Sequence, residues 1–347
     1  MQWTAEEISE ERPLLQTLAS FKYNEYQQYT AGIRFFESLV RWLNQFTNVN
    51  ERRIAYTFFK ENLIFISNEQ ISYLVNITYN EIINPIIINK TAKEIFSSKH
   101  LVRKITESQN YKTNLRKCLF IGLSDGSRID QFRRSSGVSN EQVTTTHEIS
   151  ESKSTNMLEE LHAKTDASQK FHTVFLIDDF TASGKSYFRP EEKKGKVYNF
   201  LDKIYLQNDT SWNELVDKKD HEVHIVFYIA TQDAINSLTR DIHNWKIQNS
   251  IQNEIVIHTA QIIDKSVKDN VIKNSEFLIL IKKYFDNSIV DRHYIKGIHN
   301  SPFLGFNECA LPLVLNHNTP NNSLPILWFP EDKKIIGLFP RISRHKE

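Results

Sequence analysis

Between Pro13 and about Ile105 apolar residues recur at spacings of three and four: Leu14, Leu15, Leu18 and Phe21, then Ile33, Phe36, Leu39, Val40 and Leu43, then Ile71, Leu74 and Val75. That is the period of amphipathic helices, and Ser67 followed by Gln70 has the spacing of a capping box, so this stretch is predicted to be helical. Trp42 and Phe46 share the spacing and are expected in the helical core. From Lys117 the pattern changes to short continuous apolar runs: CLFIGL before Ser124, TVFLI before Asp178, HIVFYIA before Thr231 and EIVIH before Thr259. Short runs separated by polar or helical stretches are what strands covered on both faces look like, so the middle of the chain is predicted to be α/β with a parallel sheet. Such sheets bind ligands at the carboxyl ends of their strands.

Between the first two predicted strands lies Arg133–Lys170, rich in Ser, Thr, Glu and Gln with Gly137 near its start. It reads either as a solvated loop or as a lid. From Asp291 the texture changes again: Pro302, Pro312, Pro320 and Pro325 rule out one long helix, while Leu311, Leu313, Val314, Leu315, Leu324, Ile326 and Trp328 require burial. An ordered, loop-rich cap around a short strand ALPLVL is expected. The predicted organisation is therefore a helical region over 1–105, an α/β core over 106–290 and a C-terminal hood over 291–347 packed on the core.

Composition narrows the function classes. A hydrophobic share of 40% and a charged share of 24% over 347 residues fit a soluble globular chain. Apolar stretches such as Phe277–Ile281 and Ile82–Ile88 are far too short to span a membrane, and the acidic, polar start is unlike a signal peptide, so a cytoplasmic location is expected. The net charge of +1, with lysines and arginines scattered among acids, argues against an autonomous nucleic-acid binder. Cys118 and Cys309 are too few for a disulfide framework or a four-thiolate zinc site, and Cys118 in its apolar run is expected to be a buried, inert thiol. His221 and His224 stand three apart without a partner motif, and no metal-ligand constellation is predicted.

The candidate chemistry lies in VFLIDDFTASGKSYF, Val174–Phe188. A buried strand ends in Asp178 and Asp179 and turns through Thr181, Ala182, Ser183, Gly184, Lys185 and Ser186. Such a turn offers backbone amides, hydroxyls and one cation to a phosphate. Gly184-Lys185-Ser186 is not a P-loop, because that motif needs glycine five positions before Gly184, where Asp179 would repel the phosphates. Two acids ahead of an anion-binding turn suit a ribose 5-phosphate, with its hydroxyls on the carboxylates. The bland alternative is that both aspartates merely cap the turn.

LIDDFTASGKS resembles the ribose-phosphate signature of type I phosphoribosyltransferases: an apolar strand, two acids, then a loop rich in Thr, Gly and Ser. The resemblance implies that Asp178 and Asp179 hold the ribose hydroxyls and that Ala182 to Ser186 hold the 5′-phosphate. Lys185 departs from the small residue usual there. In KCLFIGLSDGSRIDQFRRSS the family's pyrophosphate loop falls at Ser124, Asp125, Gly126 and Arg128, with Arg133 and Arg134 beyond, although the usual Pro-Arg-Gly type sequence is missing. The family's mobile lid would be Arg133–Lys170, where Glu141, His147 and Glu148 are acid–base candidates. Over most of residues 10 to 345, IGLSDGSRIDQFRRSS, FLIDDFTASGKSYF, LPLVLNHNTPNNSLPILW and LFPRISRH together resemble phosphoribosyltransferase-like proteins of bacterial conflict systems, including effectors encoded beside retron reverse transcriptases.

That resemblance implies a type I phosphoribosyltransferase-like parallel sheet with flanking helices, an antiphage defence role, and Mg2+ bound with a ribose diphosphate. It also implies chemistry at the anomeric carbon, as transfer from 5-phosphoribosyl diphosphate or cleavage of a nucleotide. A non-catalytic nucleotide-binding switch stays open beside the enzyme. So does an interaction module that docks a nucleoprotein, such as a reverse transcriptase complex, through the helical region. In the tail, His317, Asn318, Thr319, Asn321 and Asn322 either read a base or acceptor, with Asn318 and Asn321 as ligand candidates, or bond their own backbone. Arg341, Arg344 and His345 are further candidate phosphate contacts.

Overall fold

The computed structural model describes every residue except 147, 167, 208, 291–293, 295–296, 298–299, 332 and 342–347. In chain order its elements begin with α1 (Ala5–Phe21), α2 (Phe35–Asn44), α3 (Val49–Asn62), β1 (Ile64–Ile66), α4 (Asn68–Thr78), α5 (Asn84–Glu94), α6 (Val102–Thr106) and α7 (Gln109–Arg116). There follow β2 (Cys118–Gly122), α8 (Ile129–Ser136), β3 (Val143–Thr144), α9 (Glu151–His162), β4 (Thr173–Thr181), α10 (Lys196–Tyr205) and α11 (Thr210–Leu215). The last are β5 (Glu222–Thr231), α12 (Gln232–Gln248), β6 (Ile255–Ile263), α13 (Lys265–Lys273), α14 (Ser275–Lys283), β7 (Leu313–Leu315) and the helical turn α15 (Pro325–Trp328). Among the described residues no helix is long and apolar enough to cross a membrane.

The chain divides into two compact units. The first joins Met1–Ile71 to the residues from Asp264 onward. Of the apolar positions read from the sequence its helices bury Leu15, Leu39 and Leu43, with Trp42 and Phe46 fully enclosed, whereas Leu14, Phe21, Phe36 and Val40 are exposed. The Trp42 indole donates to the Ile326 carbonyl at 2.8 Å, and Phe58 of α3 stacks on Phe277 of α14. The predicted tail strand forms as β7, and its partner is β1, parallel, with Ile64, Phe65 and Ile66 opposite Leu313, Val314 and Leu315. A wholly helical first third was expected; three apolar residues are too few to display a strand period. The boundaries expected at 105/106 and 290/291 follow texture, whereas this division follows packing, which closes both chain ends into one core. The capping box forms as read: the Gln70 amide donates to Ser67 Oγ at 3.1 Å and the Ser67 amide to Gln70 Oε1 at 2.9 Å.

The second unit, Ser72–Ile263, holds a five-stranded sheet in the order β3-β2-β4-β5-β6, every pairing of which is parallel. Leu161, Leu201, Trp212, Leu238 and Trp245 belong to the core of one face, and Phe132 of α8 packs on Phe120 of β2. The strands predicted to end before Asp178 and Thr259 run further: β4 continues through Asp178 and Asp179 to Thr181, and β6 through Thr259 to Ile263, because pairing with β5 persists past the continuous apolar run. The segment Arg133–Lys170, read as loop or lid, contributes the end of α8, edge strand β3 and helix α9, whose Met157 and Leu161 are buried. Cys118 is buried and its thiol pKa is raised by desolvation, in keeping with an inert thiol.

α5 closes in a Schellman turn, in which the Ser97 amide donates to the Ala92 carbonyl at 2.8 Å and the Phe96 amide to the Lys93 carbonyl at 3.3 Å. That turn needs a left-handed residue, normally Gly, yet Phe96 occupies it at φ 50° with its side chain 99% exposed. The left-handed conformation costs a non-glycine residue about 1–2 kcal/mol, and glycine's extra unfolded freedom offsets about 0.5–1 kcal/mol. Phe96→Gly is therefore expected to stabilise the protein by about 0.5–1 kcal/mol, read as a higher urea midpoint.

At the amino ends of the strands, Lys90 donates to Glu222 Oε1 at 2.8 Å, as does the Thr173 hydroxyl at 2.7 Å. His224 Nδ1 lies 3.0 Å from His258 Nε2. Burial, and then the neighbouring His224, push the His258 pKa down to about 4. A histidine held neutral in the folded state lets the unfolded chain bind the extra proton, so stability falls as pH drops from about 6.5 to about 4. Urea titrations across that window should show this slope, flattened in His258→Gln.

Candidate functional site

The two aspartates at the end of β4 differ in kind. Asp178 points into the protein and is fully buried, whereas Asp179 is half-buried. Asp178 Oδ1 accepts a short hydrogen bond from the Ser124 hydroxyl and one from the Asp179 amide at 3.1 Å. Its Oδ2 accepts from the Lys196 ammonium at 2.7 Å and lies 2.9 Å from the Tyr187 hydroxyl. Burial and then the Asp179 charge raise the Asp178 pKa above the usual carboxylate range, with Lys196 opposing them. Burial and the same carboxylates push the Tyr187 phenol upward as well. This ring joins the loop after β2, the turn after β4 and the start of α10. Lys196 and Tyr187 were not singled out from the sequence; Lys196 follows a polar GluGluLysLysGly stretch with no local pattern that marks it.

The turn after β4 has the shape of an anion cradle. The Thr181 hydroxyl accepts from the Gly184 amide at 3.2 Å, and the Thr231 hydroxyl that caps α12 donates to the Ala182 carbonyl at 2.7 Å. Gly184 has φ +72°, and a Cβ there would approach Leu238 Cγ of α12 to 2.8 Å, so only glycine fits. Among the described residues the backbone amides of Ala182, Ser183 and Ser186 donate to no protein group. Ser186 is exposed and Ser183 half-buried, while Thr181 and Ala182 are buried structural parts of the turn. The Lys185 ammonium is turned to Asp241 of α12, at 3.2 Å.

The loop after β2 lies against Asp179. A Cβ on Gly126 would come within 2.5 Å of Asp179 Oδ2, so the backbone of this loop touches the carboxylate. Ser127 is held from below by the Tyr228 hydroxyl, which donates to its carbonyl at 2.7 Å. Arg128 sits in the left-handed region at φ 47°. Burial lowers its pKa, and the Asp179 charge opposes that. Asp125 is exposed. Ser124, Gly126, Arg128, Asp178, Asp179 and the Thr181–Ser186 turn are thus brought together at the carboxyl end of the sheet.

The other candidates have these surroundings. Asn318 and Asn321 belong to the first unit, where the Asn318 carbonyl accepts from the Leu315 amide at 3.1 Å and the Asn321 carbonyl from the Phe306 amide at 2.8 Å. Thr319 is buried with its hydroxyl 3.0 Å from that of Tyr26. Arg341 lies over the Trp328 ring. Glu148 pairs with Lys203 of α10, and Arg134 is exposed. His147, Arg344 and His345 lie outside the described residues. Among the described residues no cluster of His, Cys, Asp or Glu could hold a metal ion.

A parallel five-stranded sheet whose central strand ends in two acids and an anion-cradling turn makes this a phosphoribosyltransferase-like α/β protein. The PRTase-CE family model matches residues 39–341, and the chain belongs to that family. No curated protein and no solved structure matches it.

Lys196 is the cation that lets Asp178 stay buried. Lys196→Met should destabilise the protein by about 3 kcal/mol near neutral pH, the low end for a buried pair because Lys196 is partly exposed. The loss should shrink on acidification as Asp178 takes up a proton, which chemical denaturation at two pH values would read.

Proposed function

We propose that this chain acts at the anomeric carbon of a phosphorylated ribose, as the phosphoribosyltransferase-like effector of a bacterial antiphage defence system. The reaction is transfer of ribose 5-phosphate from its diphosphate to a base, or cleavage of a nucleotide. The observation that carries this reading is the convergence of three parts at one strand end: the half-buried Asp179, the loop Ser124–Arg128 laid against it, and the undonated amides of Ala182, Ser183 and Ser186. Asp179 accepts the ribose hydroxyls, the turn amides and the Ser183 and Ser186 hydroxyls take the 5′-phosphate, and Arg128 with the Asp125 and Gly126 amides takes the diphosphate. As the bond at the anomeric carbon breaks, negative charge grows on the departing diphosphate. Arg128 and the loop amides, already oriented, stabilise it. Asp178 acts through the others: its ring of hydrogen bonds fixes Ser124 and the backbone on which Asp179 is mounted.

A Mg2+ ion would neutralise the diphosphate. Among the described residues no cluster of three or more His, Cys, Asp or Glu could hold it, which suits an ion held mainly by phosphate oxygens and water, with Asp179 beside it.

One observation favours a second reading, a nucleotide-binding switch without chemistry. Lys185 is committed to Asp241 and Asp178 to Lys196, so two charged groups that a transferase would turn on its ligand are occupied within the protein.

Purified wild type and Asp179→Asn, incubated with Mg2+ and 5-phosphoribosyl diphosphate or a nucleotide panel, separate the readings. Release or exchange of base or diphosphate by wild type, reduced by about 100-fold in the variant, is the expected outcome. Ligand binding by wild type with every ligand left intact would replace the enzyme by the switch.

A further inference from the structure

The five-stranded sheet ends differently at its two sides. Edge strand β3 has two residues. The opposite edge strand β6 has nine, IVIHTAQII, in constant register with β5 from Val223 opposite Ile255 to Thr231 opposite Ile263. Monomeric proteins blunt sheet edges with short strands, charged residues, proline or bulges. β3 is blunted by its shortness, whereas β6 carries no charged residue, no proline and no bulge.

Among the described residues the elements packed most extensively beside β6 are β5, α12 and the helical turn Tyr79–Ile83, and no strand pairs with its outer edge. Ile262 is 47% exposed. The strand partly satisfies itself: the Thr259 hydroxyl donates to the Gln261 carbonyl at 3.1 Å, and the Gln261 amide group to the Ile262 carbonyl at 3.2 Å.

The two ends of the strand match: about Thr259, Ile255 mirrors Ile263 and Val256 mirrors Ile262, so that apolar ends flank a centre in which Ile257 stands against Gln261 and His258 against Ala260. A two-fold interface requires such self-complementarity, and antiparallel pairing about Thr259 sets residues of the same face opposite one another. We propose that β6 is a self-association edge, on which a second copy of this chain lays its own β6 antiparallel across a two-fold axis at Thr259. Two five-stranded sheets would then form one sheet of ten strands.

The inference does not depend on the reaction proposed above, and it is tested on the full chain by sedimentation over a concentration series. Wild type is expected to dimerise. Thr259→Lys and Thr259→Glu each set like charges face to face across the axis, and should weaken self-association by about tenfold or more while thermal unfolding stays cooperative. Mixing the two variants sets opposite charges face to face and should restore the dimer. A wild type that stays monomeric, a Thr259→Lys variant that dimerises like wild type, or a folded pair of variants that fails to associate on mixing would each overturn the proposal.

Discussion

The buried carboxylate of Asp178 is the constraint around which the candidate site is arranged. A carboxylate with no exposed surface must have its lone pairs occupied, and here the partners come from three segments distant in sequence: Ser124 after β2, Tyr187 after β4 and Lys196 at the start of α10. Each partner is fixed in turn. The Val197 and Tyr198 amides of α10 donate to the Tyr187 carbonyl at 3.0 and 3.1 Å, and the Lys196 ammonium rests over the Tyr187 ring. Loops that would otherwise be independent are thereby tied to one charge. Asp179 is carried on the next peptide, so its position is inherited from that arrangement.

Two further charge pairings decide what a ligand would meet. The Asp179 carboxylate is near enough to Arg128, on the loop that touches it, for its charge to act on the guanidinium, and Lys185 pairs with Asp241. A ribose diphosphate offers hydroxyls to the carboxylate and anionic oxygens to the cation, so it can engage both members of the first pair without leaving either uncompensated. Lys185 is different, because its partner Asp241 has only 14% of its side chain exposed and also takes the Ser237 hydroxyl and the Arg240 guanidinium. Moving Lys185 to a phosphate would still leave Asp241 with Arg240, so the switch from internal to ligand pairing is chemically permitted at this residue.

Much of this was legible in the sequence, for identifiable reasons. Buried parallel strands announce themselves as continuous apolar runs, and the turn after β4 announces itself through Asp, Thr, Gly and Ser, whose backbone preferences are local. The tail residues expected to need burial, from Leu311 to Trp328, are buried, and Val314, Leu324 and Ile326 among them belong to the core of the first unit. What escaped was non-local. The unequal fates of Asp178 and Asp179 depend on Lys196, which lies 18 residues away on a helix. β1 depends on a partner strand at the far end of the chain. The helix α9 was hidden by composition, since a surface helix with three buried residues looks polar in sequence.

The first unit explains why the resemblance extended into the tail. It is built from two chain segments separated by the whole second unit, and nothing covalent between adjacent residues holds them together. Its closure rests on β1 against β7, on Trp42 against the Ile326 carbonyl, on Phe58 against Phe277, and on Tyr26 bonded to Thr319 and to the carbonyls of Phe339 and Pro340. Thr319 takes part in that closure, while within the tail the Asn322 amide donates to the Phe306 carbonyl and the Ser323 hydroxyl to the Leu313 carbonyl. A discontinuous unit of this kind demands a dense set of specific contacts where its segments meet, because loop-closure entropy opposes their union. The family match from 39 to 341 spans both segments as well as the unit between them. The sequence texture of the tail is thus accounted for by folding, while the groups suited to a phosphorylated ribose lie on the strand ends of the continuous unit.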